Sequence, residues 1–386
     1  MKTARRLEQL QEYYFSKKLR EVRQLMADGK PIINLGIGSP DLAPHPRVVD
    51  ALQNALAHQG VHQYQSYQGI PALREAMADF YQRFYGVSLD ASSEVLPLMG
   101  SKEGIMHISL AFLNAGDKVL IPNPGYPTYS SVTRMVEAEA VYYSLEEEQG
   151  WFPDLAALEK SDLSGVKLMW INYPHMPSGA KASAAQLDAL LSFCQKHQIL
   201  PVNDNPYGLI LNESPLSLVA LAKARNIPAL ELNSLSKSFN MAGWRVGMLV
   251  GEAHLIQSVL KVKSNMDSGM FYGIQQAAVA ALQTEQDWLN DLNEIYAKRR
   301  ERVWELADSL NCQFKEQSAG LFVWAKLPEG PASSEKFIDH LLYEHSLFVA
   351  PGTVFGAAGE GFIRFSLCVE EARIEEALQR VNAGVR

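Results

Sequence analysis

From about residue 94 to 251, short apolar runs alternate with longer amphipathic ones. EVLPLM gives way to KEGIMHISLAFLNAG and then to DKVLIP; further apolar runs follow at VKLMWINYP, ILPVNDNPYG, PALELNSLS and RVGMLVG, and the helical pattern AAQLDALLSFCQKHQI lies between the first two of these. Apolar runs bounded by turn residues predict strands, and apolar positions three and four apart predict helices. Strands alternating with helices build βαβ units, so the expected fold is α/β, a mainly parallel sheet sandwiched by helices. Gly and Pro punctuate the strand ends, where open α/β sheets bind their ligands. Residues 275–310 read as one long helix or two. After them, GLFVWAKL, EKFIDHLLYEHS, LFVAPG, GFIRFSLCV and a closing helix read as a second, smaller α+β unit. The stretch PIINLGIGSPDLAPHP at 31–46 separates an amphipathic N-terminal helix from the main unit, and a loop this rich in turn residues often carries function.

Composition narrows the classes. A chain of 386 residues has room for two or three folding units. Its 35 basic and 43 acidic residues give a net charge of −8, without the global cationic field of a nucleic-acid binder, so no nucleic-acid partner is expected. The N-terminus has no apolar h-region and no run approaches the ~18 apolar residues of a membrane span, so no membrane partner is expected either. Cys194, Cys312 and Cys368 are odd in number and far apart, which argues against a disulfide framework or a Cys-rich zinc site. We expect a cytoplasmic protein without a metal.

The densest chemistry is SLSKSFNMAGWRVG at 234–247, directly after the apolar strand ALEL. A lone lysine at a strand end is usually a solvated loop residue. Lys237, however, has the hydroxyls of Ser234 and Ser236 beside it, Arg245 eight positions on, and glycines that let backbone approach closely. Hydroxyls and an arginine fork suit a phosphate, and an amine beside them suggests a phosphorylated aldehyde cofactor. Asp204 and Tyr207, in NDNPYG, follow another apolar run. Alone, Asp204 would as readily cap a turn; with the lysine cluster it suits the protonated ring nitrogen of pyridoxal phosphate, and Tyr207 suits the ring hydroxyl.

At these residues the chain resembles the fold-type I, class I/II pyridoxal-phosphate aminotransferases, over nearly its whole length. The resemblance implies that Lys237 forms the Schiff base with pyridoxal 5'-phosphate, that Asp204 pairs with the pyridinium nitrogen, and that Tyr207 faces the ring oxygen. It implies a phosphate held by Ser234, Ser236, Arg245 and the turn Gly100–Ser101–Lys102, where backbone N–H groups and a helix dipole favour an anion. Tyr126, in PNPGYPTY, matches the aromatic that stacks on the ring. Tyr64, in HQYQSYQG, matches a tyrosine that reaches the neighbouring subunit's phosphate, which implies a homodimer with shared active sites. Arg364, in GFIRFSLC, matches the arginine that clamps the substrate carboxylate, and Gly38 lines the same pocket. Asn172, Tyr13 and Lys102 are further candidates on the substrate side; the last two match residues near the distal end of the substrate in diaminopimelate and aspartate/alanine aminotransferase relatives.

The implied division of the chain is an arm and small-domain segment at 1–45, a large cofactor-binding domain at 46–275 and a small domain at 276–386. The implied activity is transfer of an amino group between an amino acid and a 2-oxo acid. A β-eliminating C–S lyase or a decarboxylase could use the same residues, and a non-catalytic binding protein is the reading from outside enzymes. One residue departs from the pattern. In INYPHMPSG the family's Asn position is Met176, whose thioether cannot donate a hydrogen bond. Tyr207, Asn172 or water would have to stand in for it.

Overall fold

The computed structural model describes residues 2–8, 14–330 and 333–384. In chain order the strands are β1 (Ile33–Asn34), β2 (Val95–Leu98), β3 (Lys118–Asn123), β4 (Glu139–Ser144), β5 (Val166–Ile171), β6 (Leu200–Asp204), β7 (Leu230–Ser234), β8 (Gly247–Gly251), β9 (Gln313–Phe314), β10 (Phe322–Lys326), β11 (Leu347–Phe348), β12 (Ala350–Pro351) and β13 (Phe362–Ser366). Seven of them form one sheet in the order β2-β8-β7-β6-β5-β3-β4. The pairs β3–β4, β3–β5, β5–β6 and β6–β7 are parallel, whereas β8 runs antiparallel to both of its neighbours.

Alternation along each strand fills two cores. In β5, Leu168 and Trp170 face a layer with Ile105 and Ile108 of the helix Ser101–Phe112 and Val259 of the helix Ala253–Lys263. Met169 and Ile171 face the opposite layer, with Leu190 and Leu191 of the helix Ala184–His197 and Ala277 of the helix Tyr272–Leu282. With both faces covered, the central strands contain almost no exposed residue, which is why their sequences read as unbroken apolar runs.

The stretch 275–310 is two helices, Tyr272–Leu282 and Gln286–Ser309. Beyond them β12, β13, β10 and β9 make an antiparallel sheet, and the two-residue β1 pairs with β11. The N-terminal part of the chain is thereby bound to its last quarter. Among the described residues no helix is long and apolar enough to cross a membrane.

Candidate active site

Five strands end at one cavity of about 420 Å³. Ser101 follows β2, Tyr126 follows β3, Asn172 follows β5, Asp204 ends β6, and Ser234 ends β7 with Lys237 one turn beyond. Backbone groups left unpaired where parallel strands end, and helix N-termini gathered there, make this edge of an α/β sheet a natural binding site.

Asp204 is the most informative residue. It is buried; its Oδ2 accepts from the Tyr129 hydroxyl at 3.0 Å, and its Oδ1 has no partner. Burial raises its pKa to about 7, against the pull of the Tyr129 hydrogen bond. Tyr129 is fixed in turn by stacking on Trp170, with ring centroids 5.0 Å apart. A buried carboxylate oxygen without a donor is costly unless a ligand supplies one.

Lys237 lies in the short helix Leu235–Ser238, and its Nζ donates to the Gly38 carbonyl at 2.5 Å. Burial lowers its pKa, and the neighbouring Arg364 and Arg245 charges act in the same direction. Around it an anion cradle converges. Gly100, at φ +90°, caps the helix Ser101–Phe112, and a Cβ there would collide with the Arg245 guanidinium. Arg245 Nη1 donates to Ser236 Oγ at 3.2 Å, and Ser234 Oγ accepts from the Ser236 N–H at 3.2 Å. A Cβ on Gly247 would sit 2.6 Å from the Ser101 nitrogen, so that glycine keeps the helix start close to the Lys237 loop.

The opposite wall comes from the smaller unit. Arg364 is buried on β13, with its guanidinium 3.8 Å from the Phe322 ring centroid and 4.6 Å from that of Phe355. Nη2 donates to the Gly36 carbonyl at 3.0 Å, Nη1 meets the Met176 sulfur at 3.3 Å, and Nε has no partner. Burial lowers its pKa to about 10. Among the described residues no carboxylate forms an ion pair with Arg364, so a desolvated cation faces the cavity ready for an anion.

The predicted residues Ser101, Lys102, Tyr126, Asn172, Asp204, Tyr207, Ser234, Ser236, Lys237, Arg245, Gly38 and Arg364 all line this one cavity. Two qualifications emerge from the geometry. Asn172 turns both ends of its side chain to backbone: Oδ1 accepts from the Met176 N–H at 2.8 Å and Nδ2 donates to the Asp204 carbonyl. The Met176 sulfur is turned to Arg364. Tyr64 lies outside the cavity with 90% of its surface exposed. Tyr13 falls outside the described residues. Sequence reading missed Tyr129, Phe322 and Phe355. Only Tyr129 offered a signal, three positions after Tyr126 on the next helix; the two phenylalanines reach Arg364 from distant segments with no local pattern.

The donor set fits pyridoxal phosphate. The unpartnered Asp204 oxygen suits a ring N–H, the cradle of Gly100, Ser101, Ser234, Ser236 and Arg245 suits a phosphate, and the buried amine suits an aldehyde.

The family model described as aminotransferase class I and II matches residues 30–381. The chain is 38% identical over 383 residues to an LL-diaminopimelate aminotransferase of Nitratidesulfovibrio vulgaris, covering 98% of each. It is also 38% identical to one from Dehalococcoides mccartyi, covering 99% of this chain and 98% of that one. Among solved structures, substrate-bound BacF from Bacillus subtilis superposes with a TM-score of 0.94 at 34% identity, covering 99% of this chain and 98% of the other. A single mutant of Thermus thermophilus aspartate aminotransferase superposes with a TM-score of 0.92 at 26% identity, covering 100% of both chains.

Proposed function

Because the chain belongs to the class I and II aminotransferases, which are pyridoxal-phosphate enzymes that transfer an amino group between an amino acid and a 2-oxo acid, we propose that Lys237, Asp204 and Arg364 carry that reaction here. When bound, pyridoxal phosphate supplies an aldehyde carbon that exchanges amino groups and a conjugated ring that accepts the electrons left as a proton departs Cα. Lys237 would hold the cofactor at its aldehyde carbon, and its free amine would carry the proton away from the substrate Cα. Its lowered pKa keeps more of it as the neutral amine, the form that acts as a base. Asp204 holds the proton on the ring nitrogen, and a cation there would draw its own pKa below 7. Arg364 binds the α-carboxylate through its planar fork, held between Phe322 and Phe355. The cradle around Arg245 takes the phosphate, Tyr126 packs on the ring, and Tyr207 faces the ring oxygen.

The observation that carries this reading is the buried, unpartnered Asp204 oxygen in the same cavity as Lys237 and Arg364. Borohydride reduction of the cofactor-loaded protein, followed by peptide mapping, should place the label on Lys237. A label on another lysine would overturn the assignment.

For the substrate, the relatives named as LL-diaminopimelate aminotransferases and the exposed Lys102 at the cavity support amino donors with a second charged end. A panel of donors against 2-oxoglutarate, with product detection, tests this and separates transamination from elimination and decarboxylation. We further propose that the chain divides at about 45 and 275, which the pairing of β1 with β11 supports, and that it acts as a cytoplasmic homodimer. Three buried cysteines, none in a disulfide, suit a reducing compartment. Tyr64, Tyr67, Met266 and Phe271 are exposed on two segments that touch, since a Cβ on Gly269 would sit 2.5 Å from the Gln65 carbonyl oxygen. A shared apolar surface of that kind suits a second copy of the chain.

A further inference from the structure

Residues 36–44, which reach the cavity at Gly38, make no backbone–backbone hydrogen bond among the described residues. Two of their carbonyls nonetheless meet cations of the site: Gly36 accepts from Arg364 Nη2 at 3.0 Å, and Gly38 from Lys237 Nζ at 2.5 Å. A segment with no ladder of its own is placed by what grips its ends. At the start, β1 leads into Leu35, whose N–H donates to Phe348 at 2.8 Å and whose carbonyl accepts from Ser366 at 2.7 Å. At the far end the grip is ionic. Arg299, buried on the helix Gln286–Ser309, holds both oxygens of Asp41, at 2.7 and 2.8 Å. The same guanidinium donates to the Leu367 carbonyl at 3.0 Å, three residues beyond Arg364. One fork therefore fixes the loop against the strand that carries the carboxylate clamp. Asn240 Nδ2 adds a neutral bond to the Ala43 carbonyl at 3.1 Å.

We propose that Asp41 and Arg299 are positioning residues for transamination: by pinning the loop they set where the Gly36 and Gly38 carbonyls stand against Arg364 and Lys237, and so how those two groups meet an amino acid. This rests on Arg364 and Lys237 having the roles given above. Neither Asp41 nor Arg299 lines the cavity.

Asp41 is the position to change, because its side chain is 26% exposed whereas Arg299 variants disturb a buried charge. Asp41→Asn keeps the shape and loses the charge-assisted pair. In the cofactor-free protein, thermolysin cleavage within residues 36–43, at Ile37 or Leu42, should speed up about tenfold. In the loaded enzyme, KM for the amino donor should rise about tenfold with a smaller fall in kcat, the signature of lost ground-state placement. Asp41→Glu, which keeps the carboxylate, should recover part of both, and it carries the test if Asp41→Asn does not fold. Unchanged cleavage within 36–43 would overturn the proposal. So would faster cleavage with wild-type KM and kcat, which would make the pair structural only. If borohydride fails to label Lys237 in the unaltered protein, the site assignment has failed instead, and the cleavage result still reports on the loop.

Discussion

At the scale of single residues, Met176 and Asp204 give the sharpest tests. The Met176 sulfur is a weak acceptor 3.3 Å from Arg364 Nη1, in a buried position where an amide would offer a full acceptor and two donors. A neutral hydrogen bond contributes about 0.5–1.5 kcal/mol net, so Met176→Asn should lower KM for the 2-oxo acid roughly two- to tenfold by adding a donor beside the carboxylate clamp. A raised KM in steady-state kinetics would instead place the Met176 side chain against an apolar part of the substrate. For Asp204, burial raises the pKa to about 7 in the cofactor-free protein, while the unfolded chain keeps the ordinary carboxylate value. Between those values the native state holds a proton that the unfolded state has released, so stability should fall as pH rises through that window and level off above 7. Without cofactor, Asp204→Asn should flatten this dependence and be more stable than the wild type at pH 8. Denaturation midpoints at pH 5 and pH 8 decide it; a wild-type midpoint that rises with pH would contradict the assigned state of Asp204. Lys237, Asp204 and Arg364 were legible because each sits at a strand end or between apolar residues, where a charge needs a reason. On sequence grounds a protein carboxylate would offset Arg364 equally well; the structure instead gives it two aromatic faces. Those faces, Phe322 and Phe355, were illegible, since nothing local distinguishes a phenylalanine that stacks on a guanidinium from one that fills a core.

At the scale of elements, the apolar runs located the strands but could not orient them. RVGMLVG is apolar throughout whichever way it runs, and its strand β8 proves antiparallel to its neighbours. That reversal shapes the site: the connection from Ser234 to Gly247 returns on itself, closed by the Leu235 N–H to the Val246 carbonyl at 3.1 Å, and so carries Lys237 and Arg245 at one strand edge. Glycines then let the elements meet. At Gly100 the backbone stands at φ +90° with the Arg245 guanidinium where a Cβ would be, so Gly100→Ala brings both backbone strain and a collision. Because the helix Ser101–Phe112 is anchored by Ile105 and Ile108 in the core, the damage should stay at the cradle. Cofactor affinity, followed by titrating intrinsic fluorescence with pyridoxal phosphate, should fall at least about tenfold while the circular dichroism spectrum is preserved. Wild-type affinity in the Ala variant would mean that the Gly100 turn does not face the phosphate.

At the scale of the whole molecule, the sequence pattern conveyed the large sheet, the smaller unit and the apolar stretches, but a single chain contains only part of what the pattern implies. Tyr64 is 90% exposed and outside the cavity of its own chain, whereas the family resemblance implies that its motif reaches a cofactor phosphate. In the proposed two-fold dimer each Tyr64 would stand in the partner's site, and symmetry would make the exchange reciprocal. This separates cleanly from a within-chain role. Lys237→Ala homodimers should be inactive and Tyr64→Ala homodimers weakened in cofactor retention. When the two chains are unfolded, mixed in equal amounts and refolded, random pairing makes about half of the dimers hybrid, and each hybrid has one site with Lys237 from one chain and Tyr64 from the other, about a quarter of all sites. Activity should therefore recover toward that fraction of wild type. If Tyr64 served its own subunit, no hybrid site would contain both residues and mixing would recover nothing. Sedimentation of the unaltered protein as a monomer at micromolar concentration would remove the exchange altogether, and would leave the exposed aromatic surface at Tyr64, Tyr67 and Phe271 to some other partner.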